Sequence, residues 1–318
     1  MRPPVKIYVD YPLDGNCRRV LDRVTAGDDV WIAGSYGSNA GDRDALIAAD
    51  VALGEIPKEV LPLTRRLRWL QLPSVGLDYY RGIDWGVLGS RLTCTNLKGV
   101  FTDAVAQSTL AAILGMYRGI DELVRFQERR DWQKMAVRPR LRVLGGARVL
   151  LLGAGNVASA IQAVLAPFGC SFTRYARTSG DIHAPQELDD ALPQADIVCA
   201  TLPDTPGTRG LIDRARFARF KPGALFVNIG RGTLIDEAAL VDALRSGRLG
   251  GAVLDVTQRE PLPPHDPLWS APRILLTQHT AAGSDHEYSA VIELFGENLA
   301  RFRQGQPLMN VVDWKRGY

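Results

Sequence analysis

Short apolar runs alternate with amphipathic segments over the first hundred residues. The runs have the length and side chains of buried strands, and they lie at residues 6–9, 30–33, 51–53, 70–72 and 93–96. The segments between them carry helical spacing at residues 18–24, 43–48 and 58–61, where Pro62 ends the last one. This alternation predicts a small α/β unit with a parallel sheet.

A second and more regular alternation begins at Ala147. Its apolar runs predict six strands, at residues 149–152, 171–175, 197–200, 225–228, 251–255 and 274–276. Asp213 and Asp236 stand where helices between these strands need capping residues, and Glu237 is expected to serve its helix start in the same way. Six strands joined by crossover helices make a complete doubly wound sheet of the Rossmann type.

Three further segments link or follow these alternations. Residues 102–117, rich in Ala and Leu, predict a connecting helix, whereas residues 119–146 are too polar for a core and are expected on a surface or at a subunit contact. Residues 285–304 predict a helix with an apolar face, formed by Val291, Leu294, Phe295, Leu299 and Phe302. Returning this helix to the first unit gives an α/β fold of two doubly wound parallel-sheet domains. The second, Rossmann-like domain is then inserted into the first.

Composition narrows the classes of protein only a little. The 318 residues are 46% apolar and 23% charged, and the small net charge of +3 gives no sign of a nucleic-acid partner. No run approaches the roughly 20 apolar residues of a membrane span. The four cysteines lack metal-site spacing, and Cys94, Cys170 and Cys199 are expected to be reduced thiols in apolar runs. We therefore expect no metal, no membrane contact and a cytoplasmic location.

A glycine motif follows the first strand of the second alternation, where residues 150–158 read LLLGAGNVA. Gly153 permits a tight turn and Gly155 lets the backbone approach a phosphate. The pyrophosphate of a dinucleotide would then lie on the N–H groups that start the next helix, at Asn156 and Val157. Strand–glycine–helix turns also occur where they serve only packing. The interpretation of this motif as a dinucleotide site therefore depends on the surrounding βαβ pattern.

The end of the second strand in this unit bears on the choice of dinucleotide. NAD sites usually carry an acidic residue about 20 residues after the glycines. Ala176 takes that place here, Arg177 and Thr178 follow it, and Arg174 is close by. Because a guanidinium pairs well with a phosphate, NADP is the predicted preferred cofactor and NAD the second one. If Arg177 is only a solvated loop residue, the site accepts either.

Chemically reactive side chains collect in three later segments, each after a predicted strand. These segments are residues 226–237 (FVNIGRGTLIDE), 251–262 (GAVLDVTQREPL) and 276–283 (LTQHTAAG). Together with LQLPSVGLD at 70–78 and NVVD at 310–313, they resemble the D-2-hydroxyacid dehydrogenase family over nearly the whole chain. Within that family the chain looks like a glyoxylate/hydroxypyruvate reductase.

The resemblance implies catalytic roles for three residues. Arg231 matches the arginine that binds the carboxylate of a 2-oxo acid and polarises its carbonyl, and His279 matches the proton donor. Glu260 matches the carboxylate that orients this histidine and favours its protonated form. Taken singly, each has a plainer alternative: a structural arginine, a buried neutral histidine and an exposed loop acid.

The resemblance also implies substrate and cofactor contacts. Val75 and Gly76 match a loop whose N–H groups bind the substrate carboxylate. The alternative is that these residues form an ordinary turn. Asp255 matches a residue on the nicotinamide side. The full set of expected cofactor contacts is Gly153, Gly155, Asn156, Val157, Arg177, Thr178, Leu202, Pro203, Ile229, Gly230, Arg231, Asp255, His279 and Ala282.

Two positions depart from the family pattern. Gln278 stands where the family often has a proline before the histidine, which bears on the rigidity of that loop. Gln107-Ser108 stands where Glu-His is common, which bears on the hinge between domains. Neither departure removes a predicted catalytic group.

The function that the resemblance implies is reduction of a small 2-oxo acid, such as glyoxylate or hydroxypyruvate, to the D-2-hydroxy acid by a homodimer. The expected domains are a substrate domain at 1–98, a NAD(P)-binding domain at 99–284, and a helix and tail at 285–318 that return to the substrate domain. The alternative is a dinucleotide-sensing binding module or corepressor on the same fold. The intact set of Arg231, Glu260 and His279 argues against a sensor. Glu260 also disfavours a formate-dehydrogenase-like member, since that branch pairs its histidine with glutamine.

Overall fold

The computed structural model describes residues 3–34 and 40–314, and the chain forms two compact units. Met1–Phe101 and Ser284–Tyr318 make up the first unit, and Thr102–Gly283 makes up the second. The second unit is therefore an insertion in the first, which confirms the predicted class of two α/β domains with one inserted into the other.

The first unit is built on a parallel sheet of five short strands. The strands are β1 (Lys6–Asp10), β2 (Asp29–Ile32), β3 (Val51–Gly54), β4 (Trp69–Gln71) and β5 (Thr93–Thr95), in the order β2-β1-β3-β4-β5. Its first helices are α1 (Gly15–Val24), α2 (Ala40–Ala48) and α3 (Trp85–Leu88). The Asp14 carboxylate caps the N-terminus of α1, where it accepts hydrogen bonds from the N–H groups of Asn16 and Cys17.

One predicted helix of this unit is wrong. Residues 58–60 form a turn, and a short 3₁₀ segment, Leu61–Leu63, follows them. Pro57 and Pro62 enclose only four residues, too few for a helix to nucleate, and Pro62 cannot donate a helical hydrogen bond.

The last helix, α11 (Glu287–Arg303), packs within the first unit. Val291, Phe295 and Leu299 on its predicted apolar face are fully buried, in one cluster with side chains of α1 and of the sheet. Phe295 stacks on Trp69 of β4 with 5.1 Å between ring centroids. Burial of this face explains why the chain returns to the first sheet after the insertion.

The second unit contains a parallel sheet of six strands. They are β6 (Arg148–Leu152), β7 (Ser171–Tyr175), β8 (Ile197–Ala200), β9 (Ala224–Asn228), β10 (Leu249–Leu254) and β11 (Ile274–Leu276), in the order β11-β10-β9-β8-β6-β7. Its helices are α4 (Thr102–Tyr117), α5 (Ile120–Glu128), α6 (Lys134–Val137), α7 (Asn156–Leu165), α8 (Pro185–Ala191), α9 (Arg214–Arg219) and α10 (Glu237–Arg245). The strand order reverses at β6, which pairs with both β7 and β8. Such a switch point opens a crevice at the carboxyl ends of the strands.

Alternate residues of these strands enter two separate cores. Val149 and Leu151 of β6 are buried with α4 and α7, whereas Leu150 and Leu152 are buried with the side chains of α8, α9 and α10. All six predicted strands are present, although β10 starts two residues earlier than predicted and ends one residue earlier, at Leu254. Asp255 is thus the first residue beyond the sheet.

The polar arm at residues 119–146 lies on the surface of the second unit and contains two helices that the sequence analysis did not predict, α5 and α6. None of the side chains of α5 is fully buried. Several apolar side chains of the arm are exposed: Ile120, Leu123, Val124, Trp132, Met135 and Val143. Ile120, Leu123 and Val124 of α5 do follow helical spacing, so the sequence carried a signal for this helix, which the high polarity of the arm obscured.

The four cysteines are free thiols, and burial raises the pKa of Cys199 to about 12, so that it stays protonated. Across the described part of the chain, no helix has both the length and the apolar character to span a bilayer. In the same residues no group of three or more His, Cys, Asp or Glu side chains is arranged to hold a metal ion.

Candidate active site

Arg231, Glu260 and His279 follow three neighbouring strands of the second unit. Leu254, the last residue of β10, is in register with Asn228 on β9 and with Leu276 on β11. The carboxyl ends of the three strands therefore lie side by side, and the loops that leave them share one edge of the sheet. The structure thus brings the three predicted catalytic segments to this edge.

Glu260 and His279 form a hydrogen-bonded pair at that edge. The distance from His279 Nδ1 to Glu260 Oε2 is 2.6 Å, and Glu260 Oε1 accepts the N–H of Thr257 at 2.9 Å. Both carboxylate oxygens are therefore engaged, which fixes the direction of the carboxylate. Because Nδ1 faces Glu260, Nε2 is the ring nitrogen available to a substrate, and 52% of the histidine side chain is exposed.

The turn that carries His279 is held by Asp255. Gln278 and His279 have φ of 54° and 57°, a left-handed conformation that residues other than glycine adopt rarely. The Asp255 carboxylate is buried and accepts the N–H groups of Thr280 and Ala281, and the Asp255 carbonyl accepts the N–H of His279 at 2.6 Å. Proline, with φ fixed near −65°, could not occupy position 278 in this turn. Hydrogen bonds from this turn to Asp255 therefore hold it in place, although the turn lacks the proline that the family often has before the histidine.

The second departure lies on α4, where Gln107 is exposed and Ser108 is half-buried. Ser108 Oγ donates to the carbonyl of Ala281 at 3.1 Å. Ser108 therefore links α4 to the end of the turn that carries His279.

The backbone of Arg231 is fixed by a buried asparagine. Asn228, the last residue of β9, is fully buried; its side chain accepts the N–H of Gly230 at 3.1 Å and donates to the Arg231 carbonyl at 3.0 Å. A Cβ atom on Gly232 would lie 2.0 Å from the carbonyl carbon of Thr257, so this loop packs directly on the one that carries Glu260. Sequence reasoning missed Asn228, although an amide that ends an apolar strand was a usable signal.

The glycine motif has the geometry of a phosphate cradle. Gly153 has φ of 128°, and a Cβ atom there would lie 2.2 Å from Thr201 Oγ1, so only glycine fits. A Cβ atom on Gly155 would enter open space at the start of α7, where no side chain caps the helix. The N–H groups at Asn156 and Val157 thus begin a helix whose end is open to an anion, and these residues fit a dinucleotide.

Further predicted cofactor residues lie along the same edge of the sheet. Ile229 donates its N–H to Ala200 at the end of β8, and a Cβ atom on Gly230 would lie 2.7 Å from the carbonyl oxygen of Leu202. Leu202 and Gly230 are therefore in direct contact beyond β8 and β9. This contact extends the row that begins at Gly153, the first residue after β6.

The loop after β7 is closed by an ion pair. Arg174 Nη2 lies 3.1 Å from Asp181 Oδ1, and this hydrogen bonding lowers the pKa of Asp181 below its usual value. Arg174 therefore closes the loop from within. Arg177 and Thr178 are exposed in the same loop. His183 is exposed as well, and its Nδ1 lies 2.6 Å from the Ala176 carbonyl, which it meets as a donor.

Val75 and Gly76 belong to the first unit, in the loop after β4. Ser74 Oγ donates to the Gly76 carbonyl at 2.9 Å, and Asn96 Nδ2 donates to the Val75 carbonyl at 3.1 Å. These bonds fix the direction of the carbonyl groups in the loop. The side chain of Val75 is 44% exposed.

Known proteins resemble this chain in both sequence and structure. The family model described as "D-isomer specific 2-hydroxyacid dehydrogenase, NAD binding domain" matches residues 110–281. The chain is 31% identical over 287 residues to the glyoxylate reductase of Aeropyrum pernix, an alignment that covers 87% of this chain and 84% of the relative.

Two solved structures extend the comparison. A D-isomer specific 2-hydroxyacid dehydrogenase from Xanthobacter autotrophicus Py2, in complex with NADPH and MES, superposes with a TM-score of 0.83 at 29% identity, over 99% of this chain and all of that one. An NADPH-dependent glyoxylate/hydroxypyruvate reductase from Sinorhizobium meliloti, in complex with NADP and malonate, superposes with a TM-score of 0.78 at 26% identity, over 98% of this chain and 97% of that one. The family model covers more than half of the chain, and the relative from Aeropyrum is aligned over most of both proteins. The protein is therefore a member of the D-isomer specific 2-hydroxyacid dehydrogenase family, and its second unit contains the NAD-binding domain of that family.

Proposed function

We propose that this protein reduces a small 2-oxo acid, such as glyoxylate or hydroxypyruvate, to the D-2-hydroxy acid, with NADPH as the preferred hydride donor and NADH as the second. The observation that carries the proposal is the Glu260–His279 pair, with Nδ1 and Oε2 2.6 Å apart, on the sheet edge that also carries Arg231. The relatives named glyoxylate reductase and glyoxylate/hydroxypyruvate reductase support this choice of substrate.

His279 supplies the proton in this proposal. A nicotinamide, when bound, supplies a hydride to the carbonyl carbon of the substrate. His279 Nε2 then donates a proton to the carbonyl oxygen, so the imidazole must begin the reaction in its charged form. The Glu260 carboxylate at Nδ1 favours that form and keeps the ring from turning.

Arg231 binds the substrate in this proposal. Its planar guanidinium can hold a carboxylate at two points and polarise the adjacent carbonyl as negative charge develops on the oxygen. The N–H groups of Val75 and Gly76 are proposed to bind the same carboxylate. Under this assignment the first unit is the substrate domain and the second is the NAD(P)-binding domain.

The cofactor is proposed to lie along the carboxyl edge of the second sheet. Gly153, Gly155 and the first N–H groups of α7 would hold the pyrophosphate. Arg177 and Thr178, placed where many NAD sites carry an acid, would bind the 2′-phosphate of NADP. The remaining contacts are assigned to Leu202, Pro203, Ile229, Gly230, Asp255 and Ala282.

An assay of several 2-oxo acids with NADPH and NADH side by side tests the function. We expect oxidation of NADPH that depends on glyoxylate or hydroxypyruvate, slower oxidation of NADH, and a chiral product of D configuration where the substrate allows it. Tight NADPH binding without turnover on any 2-oxo acid would contradict the proposal and favour a dinucleotide-sensing module.

We also propose a cytoplasmic homodimer whose contact includes the arm at residues 119–146. The arm exposes large apolar side chains, with Trp132 at 90% and Met135 at 74% exposure, which a partner surface would cover. The free thiols fit a reducing compartment. Light scattering after gel filtration should give the mass of a dimer, and Met135→Glu should shift it towards the monomer. A monomeric wild-type protein would exclude this assembly.

A further inference from the structure

The start of α10 is joined to the loop that carries Glu260 by two hydrogen bonds. Glu237, the first residue of α10, accepts the N–H of Gln258 at Oε1, at 2.6 Å. The side chain of Gln258 returns the connection, because its Nε2 donates to the carbonyl of Ile235, also at 2.6 Å. Glu237 and Gln258 are 21 residues apart in sequence, and the two segments are joined through both the backbone and the side chain of Gln258.

This connection is made to the loop from which Glu260 projects. Thr257 donates its N–H to Glu260 Oε1, and its hydroxyl donates to the Arg259 carbonyl at 2.8 Å. Gln258 thus lies in the middle of the short segment that sets the direction of the Glu260 carboxylate. Gly232 packs against the same segment, since a Cβ atom there would lie 2.3 Å from the nitrogen of Gln258. The loop therefore packs directly on the β9–α10 connection.

The position of Glu237 is not explained by helix capping. Asp236 caps α10, since its carboxylate accepts the N–H of Ala239 at 2.9 Å, as the sequence predicts. The prediction that Glu237 serves the same purpose is wrong, because its carboxylate bonds to Gln258 across the loop. Glu237 is half-buried; burial raises its pKa, the N–H of Gln258 opposes this shift, and the carboxylates of Asp266 and Glu260 add to it. A carboxylate held in such surroundings costs stability, which its contact with the loop offsets.

We propose that Glu237 is a positioning residue that holds Glu260 in place against His279. This inference rests on the proposed function, in which the Glu260–His279 pair delivers the proton. Without the acceptor at Glu237, the loop can move by the small distance that breaks a 2.6 Å contact between Oε2 and Nδ1. His279 would then lose part of both its orientation and the charge that stabilises the imidazolium.

Two substitutions at position 237 separate the acceptor from the charge. In Glu237→Ala we expect kcat for glyoxylate reduction to fall roughly tenfold, a part of the 10²- to 10⁴-fold that a positioned proton donor contributes. The KM for NADPH should stay within about twofold, and the alkaline decline of activity should move to lower pH. Glu237→Gln retains an amide oxygen that can accept the Gln258 N–H, so it should recover most of kcat.

Asp213→Ala is the matched control. Asp213 caps α9, and its carboxylate accepts the N–H of Arg216 in its own helix. We expect this variant to lose thermal stability with little change in kcat or in the alkaline limb. A tenfold loss of kcat and a shifted limb in Asp213→Ala would show that general destabilisation produces the same signature, which would overturn the inference.

A spectroscopic readout separates this inference from the proposed function. NMR of the ¹³C-labelled His279 ring, followed over pH without substrate, should show a lower titration midpoint in Glu237→Ala than in wild type. Gln258→Ala, which removes only the bond to Ile235, should give a smaller shift in the same direction and serves if Glu237→Ala does not fold. An unchanged midpoint in both variants would overturn the inference. A wild-type protein that reduces no 2-oxo acid would overturn the function instead, whatever the ring titration shows.

Discussion

The imidazole of His279 and the carboxylate of Glu260 meet at 2.6 Å from the loops of two neighbouring strands, β11 and β10. The second oxygen of Glu260 is held by the N–H of Thr257, and the backbone of His279 is held by the carbonyl of Asp255. Both partners are therefore held by the segment that follows β10: Glu260 by Thr257 within its own loop, and His279 by Asp255 across from the neighbouring loop. Such a pair can present His279 Nε2 to a substrate with a defined direction and a defined charge.

Replacing Glu260 with Gln should change the pH dependence of 2-oxo acid reduction. Reduction needs the charged imidazole, so activity should decline with rising pH as that proton is lost. Glu260→Gln retains the shape of the side chain but removes the charge that stabilises the imidazolium, so the decline should begin at lower pH. The check is kcat of wild type and variant across pH at saturating NADPH. An alkaline limb that stays in place would contradict the pairing as a functional contact.

Replacing His279 with Ala should remove the proton donor and leave the cofactor site in place. We expect a loss of roughly 10²- to 10⁴-fold in kcat, with the Kd for NADPH nearly unchanged. Titration calorimetry gives the Kd and stopped-flow absorbance gives the rate. Full activity in this variant would exclude His279 as the proton donor.

Arg231→Lys should be severely impaired although the charge is retained. An ammonium group is a point charge that cannot reproduce a planar, two-point contact with a carboxylate. We expect kcat/KM for the 2-oxo acid to fall about 10²-fold, the scale seen when a group that stabilises developing charge is removed. Arg245→Lys, at an exposed position near the end of α10, is the control and should behave as wild type. Near-normal turnover in Arg231→Lys would place the substrate elsewhere.

Arg177→Asp should weaken NADPH far more than NADH. A carboxylate at this position would repel the 2′-phosphate, and loss of a charge-assisted pair costs on the order of 1.5 to 3 kcal/mol. Arg65→Asp, an exposed position of the first unit, controls for the change in net charge. The ratio of Kd values for the two cofactors is the measurement. An unchanged ratio would mean that Arg177 does not contact the phosphate.

Alanine at the two motif glycines should have two different effects. Gly153→Ala places a Cβ atom 2.2 Å from Thr201 Oγ1 at a φ of 128°, so both thermal stability and NADPH binding should decrease. Gly155→Ala meets no atom within 4 Å, and its φ of −85° is ordinary, so the protein should fold with an unchanged Tm. NADPH affinity should still fall, because the new methyl group occupies the space that the pyrophosphate enters. Unchanged affinity in Gly155→Ala would show that the phosphates bind elsewhere.

The sequence alone predicted the strands and the places where reactive loops leave them. Strand positions follow from local apolar runs. The glycine motif follows from the backbone conformation that a tight turn requires within a few residues. Both can therefore be found without a structure. The prediction of a helix at residues 58–61 was wrong because four residues between prolines carry too little periodicity to distinguish a helix from a turn. The exposed helix α5 was missed for a different reason: Ile120, Leu123 and Val124 have helical spacing, but the arm around them is too polar to be read as part of a core.

The catalytic roles of Arg231, Glu260 and His279 stay predictions, which the experiments above test. The register of β9, β10 and β11 decided that the three segments carrying these residues lie at one edge of the sheet. The supporting contacts depended on the same tertiary arrangement. Asp255 meets the turn of His279 from 25 residues away, and Glu237 meets Gln258 from 21 residues away. Whether a carboxylate at a helix start caps its own helix or bonds to a neighbouring loop depends on which backbone N–H groups the folded strands bring within reach. The sequence determined which side chains stand at the carboxyl ends of the strands, and only the packed sheet decided which of those side chains meet.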